Sequence, residues 1–241
     1  MKKIGLIIPC YNEEKDISGS ISKIKDFLTF QKDYQFFIIP VDDGSKDKTK
    51  EIIEGIKDIY PVSYTPNRGK GGAVKEGINK SFNELHCDYA IFMDADLSTD
   101  LKAIPECISL LEGGHDFVIT SRHDKESVIK VKQPFNRRFI SKCSRIIIGM
   151  MFHFKVKDTQ CGFKGINQQF GLELLQKSKI NGFSFDVEFL YIAKLNKRSY
   201  KSFPVVWSHD DDSTVSSFKT SVRFFKDLFK IKRYKKQYLD K

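Results

Sequence analysis

Short apolar runs recur through the first half of the chain with a longer amphipathic stretch between them, and this alternation leaves few folds open. Runs at residues 3–8, 36–41, 62–65, 89–93 and 117–121 are too short for helices and read as buried strands. Between them, residues 16–30 place Ile17, Ile21, Ile24 and Leu28 at helical spacing, and residues 49–59 do the same with Ile52, Ile53 and Ile56. Strand, helix, strand in this order predicts an α/β fold, a central mainly parallel sheet flanked by helices. Gly113-Gly114 and residues 123–133 read as loops, the second long enough to be functional.

The same runs limit what the chain does with a membrane. Ile146 to Phe154, interrupted by Gly149 and His153, falls far short of the roughly 20 apolar residues of a spanning helix. Met1-Lys2-Lys3 and the apolar residues after them imitate a signal peptide only as far as Pro9 and the polar Tyr11-Asn12-Glu13-Glu14, so a strand is the better reading. With 40% hydrophobic and 30% charged residues the composition is that of a globular protein. Five scattered cysteines without a CxxC pair indicate neither a disulfide framework nor a zinc site, and fit a cytoplasmic protein. The formal charge of +10 is concentrated at the end, where residues 217–241 hold nine Lys/Arg against two Asp. Such a segment suits a polyanionic surface. The basic and aromatic residues match no recognised nucleic-acid reader, so acidic lipid is the expected partner and nucleic acid is not.

Ligands of open parallel sheets bind outside the carboxyl ends of the strands. That rule selects Pro9, Tyr11, Asn12 and Glu13 after the first strand, Asp42 and Asp43 after the second, and Asp94, Ala95 and Asp96 after the fourth. Four carboxylates at neighbouring strand ends repel one another unless cations compensate, and hard oxygen ligands suit Mg²⁺ or Mn²⁺. Helix capping by Asp96 or Asp100 is the plainer reading of the Asp-x-Asp triplet. Asn67-Arg68-Gly69-Lys70-Gly71-Gly72 reads as a cationic turn ahead of a helix over residues 73–82, with open amides that bind an anion. Neither GxxxxGK[ST] nor GxGxxG occurs, which argues against a Walker loop and a nicotinamide site.

Taken together, Pro9-Cys10-Tyr11-Asn12-Glu13, Val41-Asp42-Asp43-Gly44-Ser45-Lys46-Asp47 and Asp94-Ala95-Asp96 resemble family 2 glycosyltransferases with the GT-A fold, over residues 3–215. Within that family the chain is most similar to polyprenyl-phosphate hexosyltransferases of the dolichyl-phosphate β-glucosyltransferase group. The narrower likeness is carried by residues 67–74, Asp94-Ala95-Asp96-Leu97-Ser98-Thr99, Asp158-Thr159-Gln160-Cys161-Gly162-Phe163-Lys164 and Phe185-Asp186-Val187-Glu188. The resemblance implies an inverting, metal-dependent transfer of a hexose, expected to be glucose, from a UDP-sugar to a polyprenyl phosphate. Asp42 and Asp43 would then hold the uridine, with Pro9, Tyr11, Asn12, Glu13, Arg68, Gly69, Lys70 and Ala95 around the donor. Asp94 and Asp96 would hold Mg²⁺ or Mn²⁺, and Arg122 a phosphate. Asp158, Gln160 and Asp186 would face the reacting groups, with Arg137 and Arg138 steering the acceptor phosphate. The family's His-x-x-Gly-Ser-Lys-Val is replaced here by His209-Asp210-Asp211-Asp212-Ser213-Thr214-Val215, which weakens a donor assignment from that loop.

Two basic amphipathic stretches, residues 134–156 and 217–238, are expected to lie in a lipid interface on the cytoplasmic face, the second forming a segment (residues 216–241) apart from the catalytic domain (residues 1–215). A phosphate monoester is already largely ionised at neutral pH, so that acceptor requires no strong base. A glycan hydroxyl, the acceptor in cell-surface polysaccharide synthesis, requires one, and Asp158, Asp186 and Glu188 are the candidates. Nucleotidyl transfer is a further enzymatic alternative.

Overall fold

A computed structural model describes residues 1–131, 134–208 and 217–239, the side chains of residues 135–137, 139 and 217–221 excepted. Strands β1 (Lys2–Cys10) and β2 (Tyr34–Asp42) pair in parallel along their whole length, and β3 (Val62–Ser63) and β4 (Tyr89–Phe92) extend the sheet on either side. With β5 (Phe117–Ser121), β7 (Lys164–Asn167) and β8 (Tyr200–Pro204) they form seven strands in the order β3-β2-β1-β4-β7-β5-β8. Only β7 in this sheet runs against its neighbours, β4 and β5. A second, two-stranded parallel sheet joins β6 (Val128–Val131) to β9 (Val206–Ser208).

Burial on both faces explains why the first strands read as continuous apolar runs. Along β1, Ile4, Leu6 and Ile8 face one core and Ile7 the other. The first core is closed by α1 (Ile17–Leu28), α2 (Thr49–Gly55) and α4 (Ala103–Glu112). The second lies under α3 (Lys70–Asn79), α6 (Gln168–Lys177) and α7 (Phe185–Leu195), joined by the end of α5 (Phe135–Phe152), by α8 (Ser217–Arg233) and by α9 (Lys235–Tyr238). Each fully buried Ile, Leu or Phe side chain contributes about 1.5–3 kcal/mol.

Two expectations are corrected. Residues 123–133 are not simply a loop, because β6 lies inside them; its exposed Val128 and Val131 break the alternation that would betray a half-buried strand. The helix expected over residues 73–82 begins at Lys70 and passes into a π-helical turn (Lys80–Glu84). Gly71 is therefore part of the helix, and its lack of a side chain serves packing: a Cβ there would stand 2.6 Å from the Cβ of Phe185. All five cysteines are free thiols, and among the described residues no helix is long and apolar enough to cross a membrane.

Candidate active site

The sheet delivers Asp94, Ala95 and Asp96 just beyond β4. The Met93 amide donates to the Ile7 carbonyl (3.0 Å), and the chain then turns sharply, with the Leu97 amide on the Asp94 carbonyl (3.2 Å) and the Ser98 amide on Asp96 Oδ1 (2.9 Å). Leu97 takes φ 52°, a left-handed conformation uncommon for a large side chain. Ala95 points into the core, so it can offer a ligand only its backbone. The Asp94 carboxylate is ion-paired with the Lys70 ammonium at the start of α3. It also lies against the backbone of Gly162, where a Cβ would stand 1.8 Å from Asp94 Oδ2. Burial works to raise the Asp94 carboxyl, but Lys70, Lys164 and Arg122 hold it below the usual range. Asp96 is pushed upward by desolvation and by the charge of Asp94.

No group of three or more His, Cys, Asp or Glu side chains among the described residues could hold a cation. Asp94 and Asp96 would supply two hard carboxylate ligands, a donor set that suits an ion such as Mg²⁺.

Asp43 organises the turn in front of α3. Its Oδ1 accepts from the Tyr64 hydroxyl (2.8 Å) and the Arg68 amide (2.7 Å), and its Oδ2 from the Gly69 amide (2.8 Å). Gly69, at φ 96°, provides the left-handed residue this turn requires. The amides of Arg68 and Gly69, expected to face an anion, are therefore taken by the chain's own Asp43, which occupies the favourable position at the helix start. The Gly72 amide is likewise bonded to the Asn181 carbonyl (3.1 Å). The Arg68 guanidinium bonds Glu76 (2.7 Å) and lies 4.4 Å from the centre of the Tyr64 ring.

Beside this turn, Asp42 accepts from the Ser45 amide (3.1 Å), and Asn12 ties the β1 loop to the β2 loop: its backbone amide donates to the Ser45 hydroxyl (2.9 Å) and its side-chain oxygen accepts from the Lys46 amide (2.8 Å). The Glu13 amide donates to Thr49 (2.8 Å). Its half-buried carboxyl is raised to about 7, first by burial and then by Asp96, Asp16, Asp47 and Asp94. Tyr11 is exposed, and Pro9 stands in register with Val41 at the end of the β1–β2 pair.

On the other side of β4, Arg122 leaves β5 and meets Asp158 in a two-pronged ion pair of 2.7 and 3.0 Å, reinforced by the Arg122 amide (3.1 Å), with the Trp207 ring 5.4 Å from the guanidinium. Burial works to raise Asp158, but Arg122 overrides it and holds the carboxyl far below the carboxylate range. Such a weakly basic group is unsuited to take a proton at neutral pH, and the Gln160 amide (3.1 Å) adds to its load. Asp186 is paired at 2.6 Å with the wholly buried ammonium of Lys164. Glu188 is buried, its oxygens accepting from the amides of Lys179 and Ile180 (2.7 and 2.9 Å) and from the Tyr238 hydroxyl (2.5 Å). Arg138 is exposed on α5, whereas the Arg137 side chain and residues 209–215 lie outside the described residues.

Sequence reasoning missed the tasks of Tyr64, Gly162 and Lys164. The last two stood in the string that carried the resemblance, but only the antiparallel β7 reveals that they border Asp94 and Asp186.

With this geometry in view, the comparisons with known proteins converge. The family model described as glycosyl transferase family 2 matches residues 6–171. A dolichyl-phosphate beta-glucosyltransferase of Dictyostelium discoideum is 30% identical over 95% of this chain and 73% of its own length. The enzyme of the same name from Saccharomyces cerevisiae is 28% identical over 93% of this chain and 72% of its own. Among solved structures, glucosyl-3-phosphoglycerate synthase from Mycobacterium tuberculosis, in complex with Mn²⁺, UDP and phosphoglyceric acid, matches with a TM-score of 0.69 at 17% identity, covering 95% of this chain and 78% of that one. The sheet order, the paired acids beyond β4 and the matched span of sequence lead to one conclusion: this chain belongs to glycosyl transferase family 2 and has the GT-A fold.

Proposed function

We propose that the protein transfers glucose, with inversion, from UDP-glucose to a polyprenyl phosphate of the dolichyl or undecaprenyl type at a membrane surface. The observation that carries this reading is the state of the three carboxylates available as a base on the acceptor side. Asp158 is committed to Arg122, Asp186 to Lys164, and Glu188 to two amides and a tyrosine. A hydroxyl acceptor would have to lose its proton to one of them, whereas a phosphate monoester arrives already ionised.

In the proposed reaction a phosphate oxygen of the acceptor attacks the anomeric carbon opposite the diphosphate. The new C–O bond forms as the bond to UDP breaks, which inverts the centre. Asp94 and Asp96 would hold Mg²⁺ or Mn²⁺, which when bound would neutralise charge developing on the leaving diphosphate. Lys70 adds a cation at the same point, and Asp43 fixes the turn that presents it. Tyr11, Asn12, Glu13 and Asp42 border the nucleoside. Asp158 holds the fork of Arg122, whose charge also reaches Asp94 and which would steady a donor phosphate, and positioning of this kind supplies much of the rate. The activities by which the relatives are named and the Mn²⁺ and UDP of the solved synthase support the acceptor, donor and metal.

Both basic helices support attachment to the cytoplasmic face of a membrane. Ile146 and Met150 on α5 are 51% and 64% exposed, and Phe229 on α8 is 69% exposed among Arg223, Lys226 and Lys230. Apolar side chains presented among cations suit an anionic lipid surface.

The alternative, transfer to a glycan hydroxyl, is favoured by raised carboxyls that would suit a base. Glu13, at about 7, stands beyond β1, on the nucleoside side, whereas Asp186 and Glu188, also raised by burial, are held by Lys164 and by Tyr238 with two amides. Incubation with UDP-glucose, Mn²⁺ and a short polyprenyl phosphate is expected to give lipid-linked glucose. Transfer to soluble glycans alone would defeat the lipid assignment.

A further inference from the structure

The end of the chain reaches the candidate active site through a buried carboxylate. Tyr238, on α9, is completely buried; its ring packs edge-on against Tyr191 and Tyr234, and its carbonyl accepts from the Asn196 side chain (2.8 Å). Its hydroxyl donates to Glu188 Oε1 at 2.5 Å. The same carboxylate gathers the amides of Lys179 and Ile180, which open the segment between α6 and α7. One residue further, the Asn181 carbonyl receives the Gly72 amide. A Cβ on Gly69 would stand 2.6 Å from that carbonyl oxygen, and one on Gly71 would stand 3.1 Å from the carbonyl carbon. The turn at residues 69–72 therefore lies flush on residues 181–185. The other side of the turn delivers Lys70 to Asp94.

We propose that Tyr238 is a positioning residue for the diphosphate end of the donor, acting through Glu188 and the segment at residues 179–182. The inference rests on the reading of Lys70, Asp94 and Asp96 as the place where that diphosphate is held. Glu188 is buried and needs all its donors, since a buried anion short of a hydrogen bond carries a large desolvation cost. Burial raises its carboxyl, and Tyr238 with the two amides works against that rise. Removing the tyrosine hydroxyl tips Glu188 toward its protonated form. A neutral carboxyl then holds the amides of residues 179 and 180 less strongly. The backing of the donor turn loosens, and Lys70 loses its fixed register on Asp94.

The test is calorimetric titration of UDP in the presence of Mn²⁺ into the full chain, its Tyr238→Phe variant and its Ile231→Val variant. Tyr238→Phe keeps the ring and removes the hydroxyl. Ile231→Val trims the core beneath the same C-terminal segment and leaves the polar path intact. Affinity is expected to fall about three- to tenfold in Tyr238→Phe and to stay unchanged in Ile231→Val at a temperature where both are folded. Equal affinity in wild type and Tyr238→Phe overturns the proposal. Equal weakening in the two variants also overturns it, because the effect would then be one of general stability. A wild-type chain that binds no UDP refutes the donor reading and takes the proposal with it, whereas a failure of Tyr238 alone leaves that reading standing.

Discussion

Gly162 illustrates how a single missing side chain serves chemistry. The Asp94 carboxylate rests where the Cβ of any other residue would be. Gly162→Ala is therefore expected to displace Asp94 and to reduce Mn²⁺-assisted UDP binding at least about tenfold, while the melting temperature shifts by only a few degrees. Unchanged metal-assisted binding in that variant, measured by calorimetry, would remove Asp94 from the site. The acids beyond the strands were legible from sequence because a strand end is where parallel sheets bind ligands. Their partners were not. Lys70 and Asp94 are 24 positions apart, and Asp43 and Gly69 are 26 apart, so only the packing of α3 against the strand ends reveals that the cationic turn is occupied by the chain's own carboxylates. Local spacing reports which groups are present, and the register between elements decides what they bind.

At the scale of elements, α8 has two apolar stripes with opposite fates. Phe224, Leu228 and Ile231 are buried in the core shared with α7, and Val222 and Phe229 face outward among cations. Leu228→Ala is expected to cost about 2–5 kcal/mol of stability, read in a denaturant melt. Phe229→Glu is expected to leave the melt within about 0.5 kcal/mol while weakening sedimentation with anionic vesicles several-fold. Vesicle binding unaffected by Phe229→Glu would show that the outward stripe does not meet lipid. This helix also marks the limit of periodicity, since the sequence displays both stripes without saying which one the core takes. β1, β2, β4 and β5 were legible because each is a compact apolar run, whereas β3, expected over residues 62–65, pairs only at Val62–Ser63. β7, with the sequence Lys-Gly-Ile-Asn, has no such run, and its place is set by hydrogen bonds to β4 and β5. α7 is buried from Phe185 to Ala193 and so lacks the polar face by which amphipathic helices are recognised.

For the molecule as a whole, the C-terminal segment shares one core with the sheet. Deleting residues 216–241 removes Phe224, Leu228, Ile231 and Tyr238 from that core together with the Glu188 partner. The shortened chain is expected to lose cooperative unfolding in thermal melts, and a sharp transition at the wild-type temperature would show instead that the segment is separable. The clasp between Arg122 and Asp158 has a different consequence. These residues are 36 positions apart, and β6 and α5 lie between them. Because the two ends of that excursion are buckled together, a change in β6 or on the outer face of α5 is contained before it reaches β4 and Asp94, whereas Ile148 and Phe152 at the end of α5 stay fixed in the core. Variation in that excursion would then bear on the acceptor side of the proposed reaction and leave its donor side in place.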